Sequence, residues 1–341
     1  MSAGIGRFAH LFDGPAMAPL TVGEGDTEAS DAPEIALELG LASLVLKRED
    51  LNPSGSHKDR GVLHQVARHH RPGSPQTFIL SSSGNAAVAA AAACRVSGDR
   101  LIAFTAPGTA AAKRRKLLDR GAVVVESVKP INFARYAARV FGLVDLRGTK
   151  DPLASVGYRS LAGELHEAGP VDAVFTFSSS GISMRGLDDG FARLGAAPAL
   201  WSVQAGECLG IVRCVAPDTE PEPGCPAGRL GIRNPPDAAA LAERLVATGG
   251  GSVAVRTDAI LAWRERLRSM DVDTSAEGCA VLAGVEAMAD RVVDRRVVAI
   301  LTGAADQWPT DEAPAPDDRV LRAASYLEVR ALLVDLGLEP V

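Results

Sequence analysis

The sequence alternates short, mostly apolar runs with longer helix-like segments over most of its length. Typical apolar runs lie at 77–80, 101–105, 171–177 and 297–301, and turn residues separate them from the helical segments. Strands that are apolar on both faces are typical of a parallel sheet that helices cover on each side. A chain of 341 residues is long enough for two such lobes. We therefore predict an α/β fold with two parallel-sheet lobes and helices on both faces.

A turn followed by a helix start, at residues 51–61, carries the lysine with the most unusual surroundings. The stretch reads LNPSGSHKDRG, in which Ser56 can cap the helix and Asp59 can complete a capping box. Lys58 then lies in the first turn, where the positive end of the helix dipole disfavours an ammonium group. An amine held there is shifted toward the neutral form that reacts with an aldehyde. The plain alternative is a solvated lysine that Asp59 neutralises.

Three further loops follow predicted strands and carry hydroxyl groups. In SSSGN at 81–85, the hydroxyls and the N–H groups of Ala86 and Ala87 could bind a carboxylate. In SSSGIS at 178–183, ahead of a helix predicted at 185–194, serines and helix N–H groups could hold a phosphate. Ordinary helix caps explain both loops equally well. Thr302 follows the last predicted strand, where its hydroxyl could meet a ring nitrogen or simply end a buried strand.

Composition and charge exclude several classes of function. The formal net charge of −6 argues against a nucleic acid partner. The cysteines and histidines show no metal-binding spacing, and the basic run at 113–116 is expected to be a solvated helix face. No apolar run reaches membrane-spanning length and the start does not resemble a signal peptide, so we expect a cytoplasmic protein with no membrane partner.

Taken together, these stretches resemble the fold type II enzymes that use pyridoxal 5′-phosphate, in the tryptophan synthase β superfamily. The resemblance is greatest to the threonine synthase and threonine dehydratase branch, and it covers nearly the whole chain. Its sharpest parts are LVLKREDLNPSGSHKDRG at 44–61, SSSGN at 81–85, GYRSLAGEL at 157–165, LGIRNPP at 230–236 and AEGCAVLAGVEAM at 276–288. Several motifs in this order are far more specific than any one of them alone.

The resemblance implies a domain organisation and an assembly. Residues 1–62 and 156–341 would form a larger cofactor-binding domain, and residues 63–155 a smaller mobile one. The cofactor would lie in the cleft between the two lobes, and the enzyme would be a homodimer that acts on a small amino acid.

The resemblance also implies roles for individual residues. Lys58 would form the Schiff base with pyridoxal phosphate and later carry the proton at the substrate α-carbon. Asn85 would hydrogen-bond the phenolic oxygen of the cofactor, and Thr302 would meet its pyridine nitrogen. The cofactor phosphate would be held by Ser178, Ser179, Ser180, Gly181, Ile182 and Ser183. The substrate carboxylate would be held by Ser82, Ser83, Asn85 and Ala86.

The sequence departs from the family pattern in the parts that contact phosphate groups. The loop at 178–183 has one glycine where the family is usually glycine-rich, and His57 replaces a common phenylalanine, as in the tryptophan synthase β-subunit. Threonine synthases bind the substrate phosphate through an Asn-Ser pair and through an arginine that follows an aromatic residue. Arg159, after Tyr158, matches that arginine and is a candidate ligand for a substrate anion. The pair falls on Leu153 and Ala154, which weakens recognition of phosphohomoserine.

A threonine at the pyridine nitrogen has a consequence for the chemistry. A neutral partner does not favour a protonated ring, so loss of a substituent competes with full carbanion formation. We therefore expect a pyridoxal-phosphate-dependent lyase, a threonine synthase-like paralogue, that catalyses elimination or replacement at the β or γ carbon of a hydroxy or activated α-amino acid. One alternative is a serine/threonine dehydratase. Another is a non-catalytic paralogue that binds the cofactor or an amino acid.

Overall fold

The computed structural model describes residues 4–14, 19–149, 151–228, 231–308 and 317–341. Their strands, in chain order, are β1 (Ala29–Asp31), β2 (Ser43–Lys47), β3 (Thr77–Ser81), β4 (Arg100–Thr105), β5 (Val123–Glu126), β6 (Val144–Asp145), β7 (Ala173–Phe177), β8 (Ala199–Ala205), β9 (Gly251–Val255), β10 (Arg296–Ile300) and β11 (Leu321–Arg322). Leu230, the first residue of the LGIRNPP motif, lies outside the described residues.

Helices connect most of these strands. The α-helices are α1 (Pro33–Glu38), α2 (Lys58–His69), α3 (Asn85–Ser97), α4 (Ala111–Asp119), α5 (Pro130–Val140), α6 (Arg159–Glu167), α7 (Ile182–Arg193), α8 (Ala238–Ala247), α9 (Thr257–Ser269), α10 (Ala276–Ala287) and α11 (Tyr326–Asp335). Short 3-10 helices lie at Gly4–Leu11, Glu49–Leu51, Pro152–Ala154, Val156–Tyr158, Val212–Cys214, Ala289–Arg291 and Ala305–Gln307. None of the described helices is both long and apolar enough to cross a membrane.

The chain divides into two compact units. The first unit comprises residues 1–13, 23–57 and 158–308, and the second comprises residues 14–22, 58–157 and 309–341. The predicted α/β architecture with two parallel sheets is confirmed, since each unit is built on its own sheet.

The first unit contains a six-stranded sheet in the order β1-β2-β10-β7-β8-β9. All neighbours pair in parallel except β1, which runs antiparallel to β2 at the edge of the sheet. Helix α10 is buried against this sheet, and Gly284 permits the approach, because a Cβ there would lie 2.5 Å from Cγ2 of Val203. Apolar strands covered by a buried helix are what a parallel sheet requires.

The second unit contains a five-stranded parallel sheet in the order β11-β5-β4-β3-β6. Its core includes Ile102 and Phe104 from the sheet, Phe133 from α5, and Val329 and Leu333 from α11. Strand β11 and helix α11 therefore complete this unit.

Two expectations are wrong in this part of the chain. We expected residues 156–341 to belong to the larger domain, but β11 pairs with β5, and the ring of Tyr326 packs against Phe133 with the ring centroids 4.9 Å apart. The expectation that the basic run at 113–116 is solvated is wrong for Arg114, which is 6% exposed, whereas Arg115 is exposed and Lys113 and Lys116 are half-buried. Sequence position alone does not indicate that a segment returns to an earlier sheet or that an arginine becomes buried.

Candidate active site

The turn at residues 51–57 delivers Lys58 to the first position of α2, as the sequence predicts to within one residue. The N–H of Gly55 donates to the carbonyl oxygen of Asn52 at 2.7 Å, and Gly55, the last residue of this turn, has a positive φ of 82°, a conformation that favours glycine. Lys58 is half-buried and Asp59 is buried, which disfavours a solvated ion pair. Burial lowers the pKa of Lys58 to about 8. Its amine is therefore far more often neutral than that of an ordinary lysine.

The chain that leads into Lys58 is hydrogen-bonded to the loop after β10. Ser56 forms an isolated bridge with Gly303, and the N–H of Ala304 donates to the carbonyl oxygen of Gly55 at 2.9 Å. Thr302 lies in this loop and is 4% exposed. Its hydroxyl makes no hydrogen bond within the described chain, so it is available to a bound molecule. We had expected the strand before Thr302 to be the last of the chain. This expectation is wrong, because β11 follows β10.

The serine loop, defined as residues 178–183, joins β7 to α7. Helix α7 begins at Ile182, three residues earlier than predicted, so Ser183 lies in its first turn and the first N–H groups point toward the loop. Gly181 has a φ of 78°, and a Cβ there would lie 2.3 Å from Cδ2 of Leu241. The hydroxyl of Ser178 is buried and has no partner among the described residues. A buried hydroxyl beside a helix N-terminus is a site for an anion.

Thr302 and the serine loop are close to one another in the first unit because of the strand order. Thr302 follows β10 and Ser178 follows β7, and these neighbouring strands run parallel. Their carboxyl ends therefore lie side by side, which is where open α/β sheets bind ligands.

In the second unit, residues 81–86 join β3 to α3, and α3 packs against the helix that begins with Lys58. The oxygen of Ser82 accepts a hydrogen bond from the N–H of Gly84 at 3.1 Å, and that of Ser83 accepts from the N–H of Ala106 at 3.2 Å. Both hydroxyl hydrogens can still donate to a carboxylate. We had expected the N–H of Ala87 to be free, but it donates to the carbonyl oxygen of Gly84 at 3.0 Å.

The structure assigns Arg159 to an ion-pair network in the first unit. Its Nη1 donates to Asp13 at 2.7 Å and its Nη2 to Asp189 at 3.3 Å, while the residue is 6% exposed. The hydrogen bond from Arg159 holds the pKa of Asp13 below its ordinary value. A guanidinium shared between two carboxylates is a poor ligand for a further anion, which argues against the role that we expected for Arg159. Leu153 lies in the second unit, where its carbonyl oxygen is bonded to the ring of His64 at 3.1 Å.

Sequence reasoning missed one residue beside the serine loop. Gln204 lies at the carboxyl end of β8 with 0% exposure, and its Nε2 donates to the carbonyl oxygen of Ser178 at 2.7 Å. The available signal was a carboxamide inside the otherwise apolar end of the strand ALWSVQA, because a buried amide needs specific partners.

Two buried cysteines and the possible metal ligands among the described residues offer no competing chemistry. Burial raises the pKa of Cys208 and of Cys279 to about 12, so neither thiol is an activated nucleophile. Among the described residues, no group of three or more His, Cys, Asp or Glu side chains could hold a metal ion.

Comparison with known proteins agrees with this arrangement. Residues 20–303 match the family model described as pyridoxal-phosphate dependent enzyme. Threonine synthase from Halalkalibacterium halodurans is 29% identical over 299 residues, 83% of each chain. Threonine synthase from Methanosarcina acetivorans is 25% identical over 317 residues, 84% of this chain and 76% of that one. The solved structure of maize serine racemase is similar in fold, with a TM-score of 0.73 at 17% identity over 82% of this chain and 88% of that one.

The residues present fit this cofactor. The unpartnered hydroxyl of Ser178, in the loop that leads into α7, suits its phosphate. The lowered pKa of Lys58 suits an amine that reacts with its aldehyde. The chain belongs to the family of pyridoxal-phosphate dependent enzymes.

Proposed function

We propose that this protein is a threonine synthase-like enzyme that catalyses elimination or replacement at the β or γ carbon of a hydroxy or activated α-amino acid. The two relatives described above, both threonine synthases that match over more than four fifths of this chain, support this choice. The observation that carries it is Thr302, a residue that is 4% exposed in the loop after β10 and whose hydroxyl makes no hydrogen bond to another described residue. A neutral hydroxyl at the ring nitrogen favours elimination over transamination.

Each part of the cofactor has candidate ligands in the chain. Lys58 would bind the aldehyde, Asn85 the phenolic oxygen and Thr302 the ring nitrogen. The serine loop and the first N–H groups of α7 would hold the phosphate without a cationic side chain. When bound, pyridoxal phosphate supplies an aldehyde for amines and withdraws electrons from the α-carbon of the substrate.

Lys58 is the proposed acid and base. Its Nζ would remove the proton from the α-carbon, and the lowered pKa of about 8 places that amine near the range in which general bases work best. The hydroxyl hydrogens of Ser82 and Ser83 would hold the substrate carboxylate and orient the α-carbon toward the amine. Thr302 would leave the pyridine nitrogen without a proton, because a hydroxyl does not stabilise a pyridinium as a carboxylate does.

A second candidate function is a serine/threonine dehydratase, and the Arg159 network favours it. Arg159 is paired with Asp13 and Asp189, and Leu153 and Ala154 carry no side-chain hydrogen-bonding group. A substrate that loses water carries no second phosphate and needs none of these contacts. On this alternative the β-hydroxyl group would take up a proton and leave as water.

The decisive experiment has two stages. Borohydride reduction of the purified yellow protein, followed by peptide mass analysis, should place the reduced cofactor on Lys58. The holoenzyme is then incubated with L-serine, L-threonine and O-phosphohomoserine, and 2-oxo acids, ammonia and threonine are measured. A 2-oxo acid from serine or threonine supports the dehydratase, and threonine from phosphohomoserine supports the synthase.

Three results would contradict the proposal. A colourless protein with no adduct would show that Lys58 does not bind the cofactor. A labelled protein that forms D-serine from L-serine, without any 2-oxo acid, would show racemisation instead of elimination. A labelled protein with no turnover of any of the three amino acids would favour the non-catalytic alternative.

A further inference from the structure

Gln204 occupies a position in the first unit from which it can control the serine loop. It is the penultimate residue of β8, whose neighbour β7 leads directly into that loop. Its side chain is completely buried, although it carries both a hydrogen-bond donor and an acceptor. A buried carboxamide is retained in a sheet when both of its ends are bonded.

Three hydrogen bonds to the backbone fix the orientation of this amide. Nε2 of Gln204 donates to the carbonyl oxygen of Ser178 at 2.7 Å. Oε1 accepts from the N–H groups of Ile211 and Val212, each at 2.9 Å. A flipped amide would oppose donors to donors, so the three partners assign the two ends without ambiguity. The side chain thus joins the start of the serine loop to residues 211–212.

Gln204 also affects the serine loop indirectly, through the packing of Ile211 against Gly181. A Cβ at Gly181 would lie 2.3 Å from Cδ2 of Leu241 and 3.8 Å from Cδ1 of Ile211. Ile211, whose N–H is held by Gln204, therefore lies against the glycine of the loop. Gln204 acts on Ser178 directly and on Gly181 through Ile211.

We propose that Gln204 is a positioning residue for the phosphate of the cofactor. By holding the carbonyl group of Ser178, it fixes the orientation of that residue, and with it the buried hydroxyl that has no partner among the described residues. By holding Ile211, it keeps Gly181 in the conformation from which α7 begins. This inference rests on the phosphate site proposed above at the serine loop, but it does not depend on which amino acid is the substrate.

The test uses Gln204→Glu, which preserves the shape of the side chain. A neutral glutamic acid can donate to the oxygen of Ser178 as the amide does, whereas a carboxylate has no hydrogen to donate. The matched control is Ser202→Ala, on the same face of the same strand, because Ser202 is 0% exposed and its hydroxyl has no partner among the described residues.

Affinity of the cofactor-free protein is measured for pyridoxal phosphate and for pyridoxal, which lacks the phosphate. We expect Gln204→Glu to bind pyridoxal phosphate about tenfold more weakly at about pH 9 and to approach wild type at about pH 6, because the acid is then protonated. Comparison with wild type at each pH removes the ionisation of the phosphate itself. Affinity for pyridoxal should not change, and Ser202→Ala should bind both compounds as wild type does.

A second measurement needs no substitution. In the wild-type protein, hydrogen exchange of the Ile211 and Val212 amides should slow when pyridoxal phosphate binds, and slow less when pyridoxal binds. The proposal is overturned if Gln204→Glu loses affinity equally for both compounds, or if it binds pyridoxal phosphate as wild type does at both pH values. If the variant does not fold, the exchange measurement decides alone: the proposal is overturned if pyridoxal phosphate leaves hydrogen exchange at Ile211 and Val212 of the wild-type protein unchanged.

Discussion

His57 donates two hydrogen bonds to the same acceptor, the carbonyl oxygen of Thr302. The backbone N–H lies at 3.2 Å and the ring Nδ1 at 2.9 Å. Because a carbonyl oxygen only accepts, Nδ1 must carry the hydrogen, which selects one tautomer of the neutral ring. The ring also packs against Tyr158, with the ring centroids 5.5 Å apart. These two hydrogen bonds therefore fix His57, the residue before Lys58, to Thr302, the residue proposed to contact the ring nitrogen.

The first prediction concerns this pair of hydrogen bonds. His57→Phe keeps an aromatic ring beside Tyr158 but removes the Nδ1 donor, so the free energy of unfolding should fall by about 1 kcal/mol. Urea denaturation of the cofactor-free protein measures the change, and His166→Phe, at an exposed position, is the control. A variant as stable as wild type would show that the side-chain bond contributes nothing.

The second prediction concerns the identity of the cofactor lysine. Lys58→Met should abolish the borohydride-reducible adduct and lower turnover by about a thousandfold, because the substituted side chain has no amine to move the proton. Peptide mass analysis and a 2-oxo acid assay give the two measurements. The exposed Lys129→Met is the control. Finding the adduct on another lysine of the wild-type protein would refute the assignment.

The third prediction follows from the pKa of about 8 at Lys58, lowered by burial from 10.5. The unfolded chain binds the extra proton between these two values, so the stability of the cofactor-free protein should rise as the pH increases from about 8 to about 10.5. Lys58→Met lacks this contribution. The free energy of unfolding of Lys58→Met should exceed that of wild type by at most about 3 kcal/mol near neutral pH, and this difference should disappear at alkaline pH.

Urea denaturation of both proteins at several pH values tests this third prediction, because all other titrating groups cancel in the difference. Uptake of pyridoxal phosphate by the wild-type protein should rise over the same region, with a midpoint near the pKa of about 8. A stability difference that does not vary with pH would contradict a lowered pKa.

The fourth prediction separates backbone strain from steric fit at Gly181. Gly181→Ala places a Cβ 2.3 Å from Leu241 at a φ of 78°, whereas Gly249→Ala places one in open space at a φ of 82°. We expect Gly249→Ala to lower the free energy of unfolding by about 1–2 kcal/mol, from strain alone. Gly181→Ala should lower it by about 3 kcal/mol or more and should also weaken binding of pyridoxal phosphate. Equal losses in the two variants would argue that the loop tolerates the side chain.

The fifth prediction concerns Arg159, which we expect to be structural. Arg159→Gln should lower the free energy of unfolding by about 1 kcal/mol, because Asp13 and Asp189 lose their charged donor but are exposed enough for water to replace it. The ratio of turnover with phosphorylated to unphosphorylated substrates should stay the same. Arg193→Gln, which removes the more exposed partner of Asp13, serves as the control. A selective loss with the phosphorylated substrate would restore Arg159 as a substrate ligand.

The same pair has a defined pH dependence. Because the hydrogen bond from Arg159 lowers the pKa of Asp13, the stabilising contribution is present above the unfolded-state pKa and is lost as the pH falls through the lowered value. Wild type and Arg159→Gln should therefore converge in stability at acidic pH.

The sequence predicted the elements that bury a regular apolar face, and it missed those that do not. The strands of both sheets that carry apolar residues were predicted to within a few residues. Strand β1 was missed because its three residues, ASD, have no apolar pattern. Strand β11 was missed because its two residues, Leu321 and Arg322, form no apolar run. Both are specified by a neighbouring strand and not by their own composition.

The residues of the candidate site likewise fall into two groups, those that local sequence predicts and those that it does not. Lys58 and the serine loop could be predicted because their turn and capping residues are local in the chain. The pairing of Arg159 with Asp13 and the bonds from Gln204 to Ile211 could not, because each depends on where the folded chain brings a distant or irregular segment. The motif around Arg159 was recognised, but its partners were not part of the motif.

The return of the C-terminal segment to the second unit affects the order in which the protein can fold during synthesis. The sheet that follows Lys58 receives β11 and the apolar face of α11 only after every strand of the first unit has been made. Until then β5 has an open edge and Phe133 lacks its cover from Tyr326. An emerging chain therefore carries an exposed strand edge and apolar surface, which is the kind of surface that chaperones bind.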